Sequence, residues 1–435
     1  MSAQRGSERR FERPAAVSLA VLLAVFAINY MDRQILAILI EPIQRDLNLG
    51  DGQAGLLYGL AFAVFYSVLG IPIARWADRS DRTRIIVGST ALFSVMTVAC
   101  GMATGFVPLL LARIGVAIGE AGTGPPSHAI IADLYPVERR STAMSVFSLG
   151  PHIGIVLGLV LGGLSAQWLG WREAFLLAGA ISFVVALLAL GALKDSPQRN
   201  VQSDPVRRIP AAAIVGQLWR YRSIRHVTVG STVASIAVSA LMGWLPTFLM
   251  RSHHFSPADA GLLLALVLGV LGGMGTVASG LIADRAGQRD GRARLGSVAA
   301  GMLLSAPCWG IAFASDDFGI AILGLASGGA LIAFHLGPTF AMVQSLVVRE
   351  GRALAAALLL FVANLVGVSI GPLLVGAVSD QLAMTHHDES LRVALLGVLP
   401  LYLWAAYHYH VAARTLENDL CLATVADDLS CRPAA

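Results

Sequence analysis

The sequence predicts an all-α membrane protein with twelve transmembrane helices in two pseudo-symmetric six-helix bundles. Of its 435 residues, 56% are hydrophobic and 13% are charged, whereas soluble domains carry about 25% charged residues. The apolar residues fall into twelve runs that are long enough to cross a bilayer. A polar motif recurs at corresponding places in the two halves of the chain, which indicates a duplicated bundle.

The twelve apolar runs define the predicted helices. A helix needs about 20 mostly apolar residues to span the hydrocarbon core. The runs lie at 14–40, 52–74, 85–104, 106–132, 140–167, 172–193, 226–250, 257–282, 294–314, 317–347, 353–379 and 390–413. The first run is full length and lacks a small-residue cleavage site, so we expect it to stay as a helix and not to be removed as a signal peptide.

The longest polar interruption divides the chain into six helices plus six helices. We expect an N-terminal bundle at 1–193, a cytoplasmic linker at 194–225, a C-terminal bundle at 226–414 and a cytoplasmic tail at 415–435. Charge predicts the orientation, because lysine and arginine accumulate in cytoplasmic loops. With both termini in the cytoplasm, 25 of the 31 basic residues lie in inner segments and four lie in outer loops.

The repeated motif resembles that of a known family. The segments A-R-W-A-D-R-S-D-R-T-R at 74–84 and G-L-I-A-D-R-A-G-Q-R-D at 280–290 both place Asp-Arg after the second helix of a half. The second copy resembles the signature loop G-x-x-x-D-R-x-G-x-R of the major facilitator superfamily. The first copy departs from it, since Ala74 and Asp81 stand where glycines are usual.

Further motifs resemble the spinster branch of that superfamily. They are N-Y-M-D-R at 29–33, G-E-A-G-T-G-P-P-S at 119–127 and A-D-L-Y-P-V-E-R-R-S-T-A at 132–143. The resemblance implies the major facilitator fold, a monomer, and lysophospholipids or sphingosine-phosphate-like lipids as substrates. It also implies a cytoplasmic gate held by salt bridges and helix-end charges. The expected gate residues are Asp78, Arg79, Arg82, Asp133, Arg139, Arg140, Asp284 and Arg285.

Four charged residues lie inside the predicted membrane helices, where a charge costs roughly 3 kcal/mol or more. Asp32 and Arg33 belong to helix 1, and Arg113 and Glu120 share one face of helix 4. A rise of 1.5 Å per residue puts Asp32 and Arg113 at matching depths, roughly 11 Å below the outer boundary. We therefore expect these two to pair and, with Glu120 near the midplane, to form a proton-responsive network.

Such a network can couple proton uptake to conformation, because burial raises and a nearby cation lowers a carboxyl pKa. The alternative is that Asp32 and Arg113 only neutralise each other and pin helices 1 and 4 together. Arg33 points about 100° away from Asp32. It is expected to pair with Glu120, to bind an anionic substrate group, or to be purely structural.

Possible substrate contacts are the polar residues Asn29, Tyr30, His335 and Asn364. Helices 7–12 carry no Asp, Glu, Lys or Arg in their predicted membrane interiors. One half of the expected cavity is therefore charged and the other is nearly apolar. This asymmetry suits an amphipathic substrate, or it indicates that only one half handles protons.

Together these features predict a proton-coupled secondary transporter that carries a lysophospholipid or sphingolipid-like substrate by alternating access. A carrier of small organic anions, with Arg33 and Arg113 as a carboxylate clamp, stays open, as do a multidrug exporter and a lipid scramblase or sensor. The chain has no G-x(4)-G-K-[ST] loop and no nucleophile motif, so neither ATP-driven transport nor an enzyme is expected. No cofactor, metal site or nucleic-acid partner is expected. A proton is the expected coupling ion, sodium stays open, and a bacterial inner membrane is the expected location.

Overall fold

The structure, a computed structural model, is built from helices and describes residues 2–77, 79–193, 216, 219–332, 334–347 and 352–430. Twelve helical spans in these ranges are long and apolar enough to cross a membrane. They are α1 Ala15–Leu47, α2 Asp51–Ala77, α3 Arg82–Gly101, α4 Phe106–Leu134, α5 Thr142–Trp168, α6 Trp171–Ala192, α7 Arg222–Ser252, α8 Pro257–Gln288, α9 Gly291–Ala314, α10 Phe318–Ser345, α11 Leu354–His386 and α12 Ser390–Leu422. The predicted fold class is confirmed.

Several spans are not continuous α-helices. α4 consists of Phe106–Ala121 and Gly124–Leu134, with Gly122 and Thr123 between them. Single π-helical segments interrupt three other spans at Leu56–Leu60 in α2, Ala265–Leu271 in α8 and Ala363–Val368 in α11. Such insertions change which side chains face a given direction, and they are frequent at functional sites.

The first and last helices extend further toward the C-terminus than the sequence predicted. The sequence placed the end of helix 1 at residue 40, but the helix continues to Leu47. Glu41 accepts a hydrogen bond from Arg45 Nε at 2.9 Å, one turn later, and this pair stabilises the added turn. The helix ends at Asn48, whose φ of 51° lies in the left-handed region. At the other end of the chain, helix continues to Ser430, past the predicted end at residue 413.

The chain divides into two compact units. The first unit comprises Met1–Gln202 and Gly243–Gly269, and the second comprises Ser203–Met242 and Val270–Ala435. The first unit therefore holds α1 to α6, the final part of α7 and the initial part of α8. The linker predicted at 194–225 lies mostly outside the described residues, which include only 216 and 219–225 of it.

Close packing of α1 against α5 organises the first unit. Glycines recur at every fourth position of α5 and face α1, namely Gly150, Gly154, Gly158 and Gly162. A Cβ atom on Gly154 would collide with the carbonyl oxygen of Ala27, and one on Gly158 would collide with that of Met31. Small residues let membrane helices approach closely. The backbone of α1 is therefore held in place just before Asp32.

Candidate functional site

Asp32 and Arg113 form a buried ion pair between α1 and α4. The distance from Arg113 Nη1 to Asp32 Oδ2 is 2.6 Å, and the two side chains are 1% and 0% exposed. Thr97 of α3 donates a hydrogen bond to the other carboxylate oxygen, Asp32 Oδ1, at 3.0 Å. The depth estimate from the sequence therefore brought together the right two residues. These contacts join three helices, because Asp32 lies on α1 and its two carboxylate oxygens are bound by Arg113 of α4 and Thr97 of α3.

Arg33 and Glu120 form a second ion pair between the same two helices. Arg33 Nε donates to Glu120 Oε2 at 3.3 Å, and Arg33 Nη2 also binds Glu120 Oε1. The Glu120 side chain is buried, whereas that of Arg33 is 20% exposed. Of the three roles that the sequence left open for Arg33, pairing with Glu120 is the contact that the structure contains. Asp32 and Arg33 are adjacent on α1, and they bind Arg113 and Glu120, which lie two turns apart on α4.

Three aromatic rings surround the Arg33 guanidinium. Its central carbon lies 4.9 Å from the ring centroid of Tyr30, 4.4 Å from that of Phe62 and 5.2 Å from that of Tyr66. A cation within about 6 Å of an aromatic face is attracted by the ring quadrupole. The rings of Phe62 and Tyr66 also stack on each other at 5.4 Å. We call these three side chains the aromatic box.

Sequence reasoning found Tyr30 but missed the other two rings of the box. Phe62 and Tyr66 are four residues apart, so they share one face of α2. That spacing was a usable signal, but aromatic residues on a membrane helix more often contact lipid or packed neighbours. The π-helical segment at Leu56–Leu60 lies immediately before this pair and sets the direction of its face.

Asn29 contacts α4 at the break in that helix. Its side-chain Nδ2 donates to Thr123 Oγ1 at 2.7 Å, and Thr123 Oγ1 donates in turn to the Glu120 carbonyl oxygen at 2.8 Å. Asn29 Oδ1 is buried and has no hydrogen-bond partner among the described residues. Pro125 and Pro126 stand in the first turn of the second segment of α4, where the missing N–H of a proline is tolerated.

The other two predicted substrate contacts belong to the second unit. His335 is buried at the start of the helix Leu336–Ser345, and neither of its ring nitrogens has a partner among the described residues. Asn364 lies half-buried in the π-helical segment Ala363–Val368. Both residues therefore stand at interruptions of their helices. Their contact with a substrate stays a prediction.

Some of the residues predicted to form a cytoplasmic gate make contacts at the helix ends of the first unit. Arg82 Nη1 lies 2.6 Å from Asp133 Oδ2, which joins the start of α3 to the end of α4. Arg140 Nη2 donates to the Ala132 carbonyl oxygen at 2.7 Å. Asp78 lies outside the described residues, while Arg79 and Arg139 are exposed. The sequence therefore identified a contact between these two helix ends.

In the second unit the predicted gate residue Asp284 forms an ion pair with Arg294 of α9, at 3.7 Å. Its neighbour Arg285, the other predicted gate residue there, is exposed. The tight connection between α8 and α9 brings Arg294 back beside the end of α8. An additional ion pair, between Arg292 and Glu417, joins α9 to α12.

A further charge cluster at the opposite helix ends of the first unit was not predicted. Arg251 Nε binds Glu41 Oε2 at 2.6 Å, and Arg251 Nη2 binds Asp51 Oδ1 at 2.9 Å. Gln44 Oε1 accepts from Arg251 Nη2 at 3.1 Å, and Gln44 Nε2 donates to Asp51 Oδ1 at 2.7 Å. The end of α7 is therefore joined to the end of α1 and the start of α2. We call these four residues the Arg251 cluster.

Comparison with known proteins places this geometry in a family. The model of the Major Facilitator Superfamily matches residues 22–372. An MFS-type efflux pump of Mycolicibacterium smegmatis is 35% identical, over 95% of this chain and 96% of its own length. Protein spinster homolog 1 of Bos taurus is 27% identical, over 85% of this chain and 74% of its own length.

A solved structure agrees with these sequence relatives. A bacterial homologue of the human lysosomal transporter spinster, in an inward-facing and unoccupied conformation, matches with a TM-score of 0.84 and 27% identity. The match covers 93% of this chain and 98% of that chain. The resemblance inferred from the motifs is confirmed, and the chain is an integral membrane protein that belongs to the major facilitator superfamily of transporters, with spinster proteins among its relatives.

Proposed function

We propose that this protein is a proton-coupled transporter of lysophospholipid or sphingolipid-like amphipathic molecules, working by alternating access. The supporting observation is the pair of adjacent ion pairs between α1 and α4, formed by Asp32 with Arg113 and by Arg33 with Glu120. Intramembrane charges are rare, and they mark substrate or ion pathways. Here four of them converge on one pair of helices.

Proton and substrate binding can support each other at Glu120. A proton on Glu120 removes the charge that holds Arg33, so the guanidinium becomes free to bind an anionic group. Guanidinium groups bind phosphate through parallel, charge-assisted hydrogen bonds. A phosphate that draws Arg33 away in turn leaves Glu120 without a cation and favours its protonation. This reciprocity is what thermodynamic linkage requires of a coupled carrier.

Two observations bear on the alternative substrates. Arg113 is fully buried and bound to Asp32, which weighs against a clamp in which Arg33 and Arg113 together hold a small carboxylate. The 35% identity to an MFS-type efflux pump favours export, and hence the multidrug exporter as the second candidate. Lysolipids and many drugs are both amphipathic. Competition between them for transport therefore distinguishes a preferred substrate from a tolerated one.

The test is uptake of a fluorescent lysophospholipid by proteoliposomes, with and without an imposed pH gradient. We expect the gradient to drive accumulation in the native protein and to have no effect on Glu120→Gln or Asp32→Asn. The matched control is Asp46→Asn, since Asp46 also lies on α1 and pairs with Arg172 at 2.5 Å but is half-exposed. Equilibration without accumulation in the native protein would indicate a scramblase. Accumulation that persists in Glu120→Gln would refute the proposed proton site.

The orientation is proposed on the charge asymmetry alone, with both termini in the cytoplasm. It places the Arg251 cluster at the outer surface and the Arg82–Asp133 pair at the inner surface. Protease accessibility of an epitope tag at either terminus, in intact cells and in inverted vesicles, tests it directly.

A further inference from the structure

We propose that the aromatic box is a binding site for a quaternary ammonium group and that Arg33 occupies it in the substrate-free protein, an inference that rests on the proposed lipid transport. The substrate class is then a zwitterionic lysolipid with a choline-type head. Its ammonium replaces the guanidinium among Tyr30, Phe62 and Tyr66, while its phosphate binds the displaced Arg33.

The geometry of the box suits such a cation. The three ring centroids lie 4.4, 4.9 and 5.2 Å from the guanidinium carbon, so each is within the range of a cation–π contact. The rings come from two helices, with Tyr30 on α1 and Phe62 and Tyr66 on α2. Several aromatic faces around one point are the arrangement that recognises quaternary ammonium ligands.

A comparison with Arg113 argues that the box is more than a support for an ion pair. Arg113 is held by a carboxylate at similar range, yet its nearest described ring, that of Phe62, is 6.0 Å away. Arg113 is also sealed from solvent, whereas Arg33 is partly exposed and Tyr30 and Tyr66 are half-buried. The Asp32–Arg113 pair is closed and has no box, whereas the Arg33–Glu120 pair is partly open and has the box.

The two places to be filled favour a zwitterion over a simple cation or anion. When a protonated Glu120 releases Arg33 from the box, Arg33 needs an anionic partner and the aromatic faces are left without a cation. A simple cation supplies no partner for Arg33, and a simple anion leaves the box empty. A phosphate and an ammonium on one head group fill both places, and the cation–π contacts stabilise the ammonium.

The experiment measures binding to the purified full-length protein in nanodiscs, at one pH and without a gradient. The probes are oleoyl lysophosphatidylcholine and its 3,3-dimethylbutyl isostere, in which carbon replaces the ammonium nitrogen. Dodecyltrimethylammonium and dodecyl phosphate supply each charge alone. Three cation–π contacts correspond to a preference of about tenfold or more for lysophosphatidylcholine over its isostere. We expect weaker binding of both single-charge probes.

The variants assign that preference to the box. Phe62→Leu is expected to abolish it, and graded fluorination of Phe62, which keeps the shape of the ring, is expected to lower it step by step. Phe65→Leu is the matched control, because Phe65 lies on the same helix but is 36% exposed. Fluorination without effect would overturn the inference even if Phe62→Leu failed to fold.

The outcomes separate this inference from the proposed function. Equal binding of lysophosphatidylcholine and its isostere would overturn the box and leave lysolipid transport standing. Binding of dodecyltrimethylammonium as tight as that of lysophosphatidylcholine would overturn the exchange with a zwitterion. Failure of every lysolipid to bind would overturn the inference together with the lipid assignment.

Discussion

The Arg251 cluster makes the most direct prediction about conformational change. A transporter that opens to the outer side must separate its outer helix ends. In the proposed orientation these ends include the cluster in which Arg251 joins the end of α7 to α1 and α2. We expect Arg251→Gln to weaken this junction and to favour an outward-open state. Glutamine keeps a polar side chain but cannot neutralise Glu41 and Asp51 together.

The size of the effect follows from the contacts. Hydrogen bonds between charged groups contribute about 1.5–3 kcal/mol each when they are buried. The Arg251 side chain is 22% exposed, and it binds two mostly buried carboxylates. Allowing for solvent screening, we take about 2 kcal/mol for the loss of its charge. At 1.4 kcal/mol per factor of ten, this shifts the conformational equilibrium about thirtyfold.

The assay is labelling of a cysteine introduced at Thr247, in a background whose native cysteines are replaced by serine. Thr247 is fully buried and lies one turn before Arg251 on α7. A membrane-impermeant maleimide added outside cells should label it about thirtyfold faster in the Arg251→Gln protein, in proportion to that shift. Arg172→Gln is the control, since Arg172 also lies at this end of the first unit but binds Asp46 of α1 at 2.5 Å. Equal labelling of the parent and Arg251→Gln proteins would refute the idea that the cluster holds the outer side closed.

Two further predictions concern stability. Asp32→Ala should lower the free energy of unfolding by about 3–5 kcal/mol, because it leaves Arg113 buried without a partner, and adding Arg113→Met should recover most of that loss. Thermal unfolding in detergent measures both effects. A double variant as unstable as Asp32→Ala would contradict the explanation. Gly158→Leu should abolish a monodisperse peak in size-exclusion chromatography because its side chain meets the backbone of α1, whereas Gly191→Leu, with no atom within 4 Å of its added Cβ, should behave as native.

Much of the fold and part of the site follow from the sequence by simple geometry. Apolar run length predicted all twelve spans, because the bilayer fixes how long a spanning helix must be. The Asp32–Arg113 pair followed because an α-helix rises by a constant amount per residue, so depth can be counted from the helix ends. Both inferences use fixed lengths, the thickness of the bilayer and the rise of an α-helix per residue, that tertiary packing does not change.

The missed features have different causes. The Arg251 cluster was overlooked because helix 1 was ended at residue 40, which left Glu41 in a loop, whereas the helix continues to Leu47. The rings of Phe62 and Tyr66 share a face of α2 that the sequence spacing shows, but the spacing does not say whether that face meets lipid or Arg33. The π-helical segment just before Phe62 sets the direction of the face.

The difference in exposure between the two ion pairs suggests which of them exchanges during transport. Asp32 is bound by Arg113 and Thr97 and is closed to solvent, so breaking that pair means leaving a buried charge unpaired. Arg33 is partly open, and the phosphate of a lysolipid offers it a replacement partner before Glu120 is released. Breaking the Arg33–Glu120 pair therefore costs less free energy and comes first, while the Asp32–Arg113 pair keeps α1 packed against α4. On this reasoning Glu120→Gln should lose coupling while its thermal unfolding stays near native, whereas Asp32→Asn should lose both coupling and stability. A marked loss of stability in Glu120→Gln with none in Asp32→Asn would reverse the assignment.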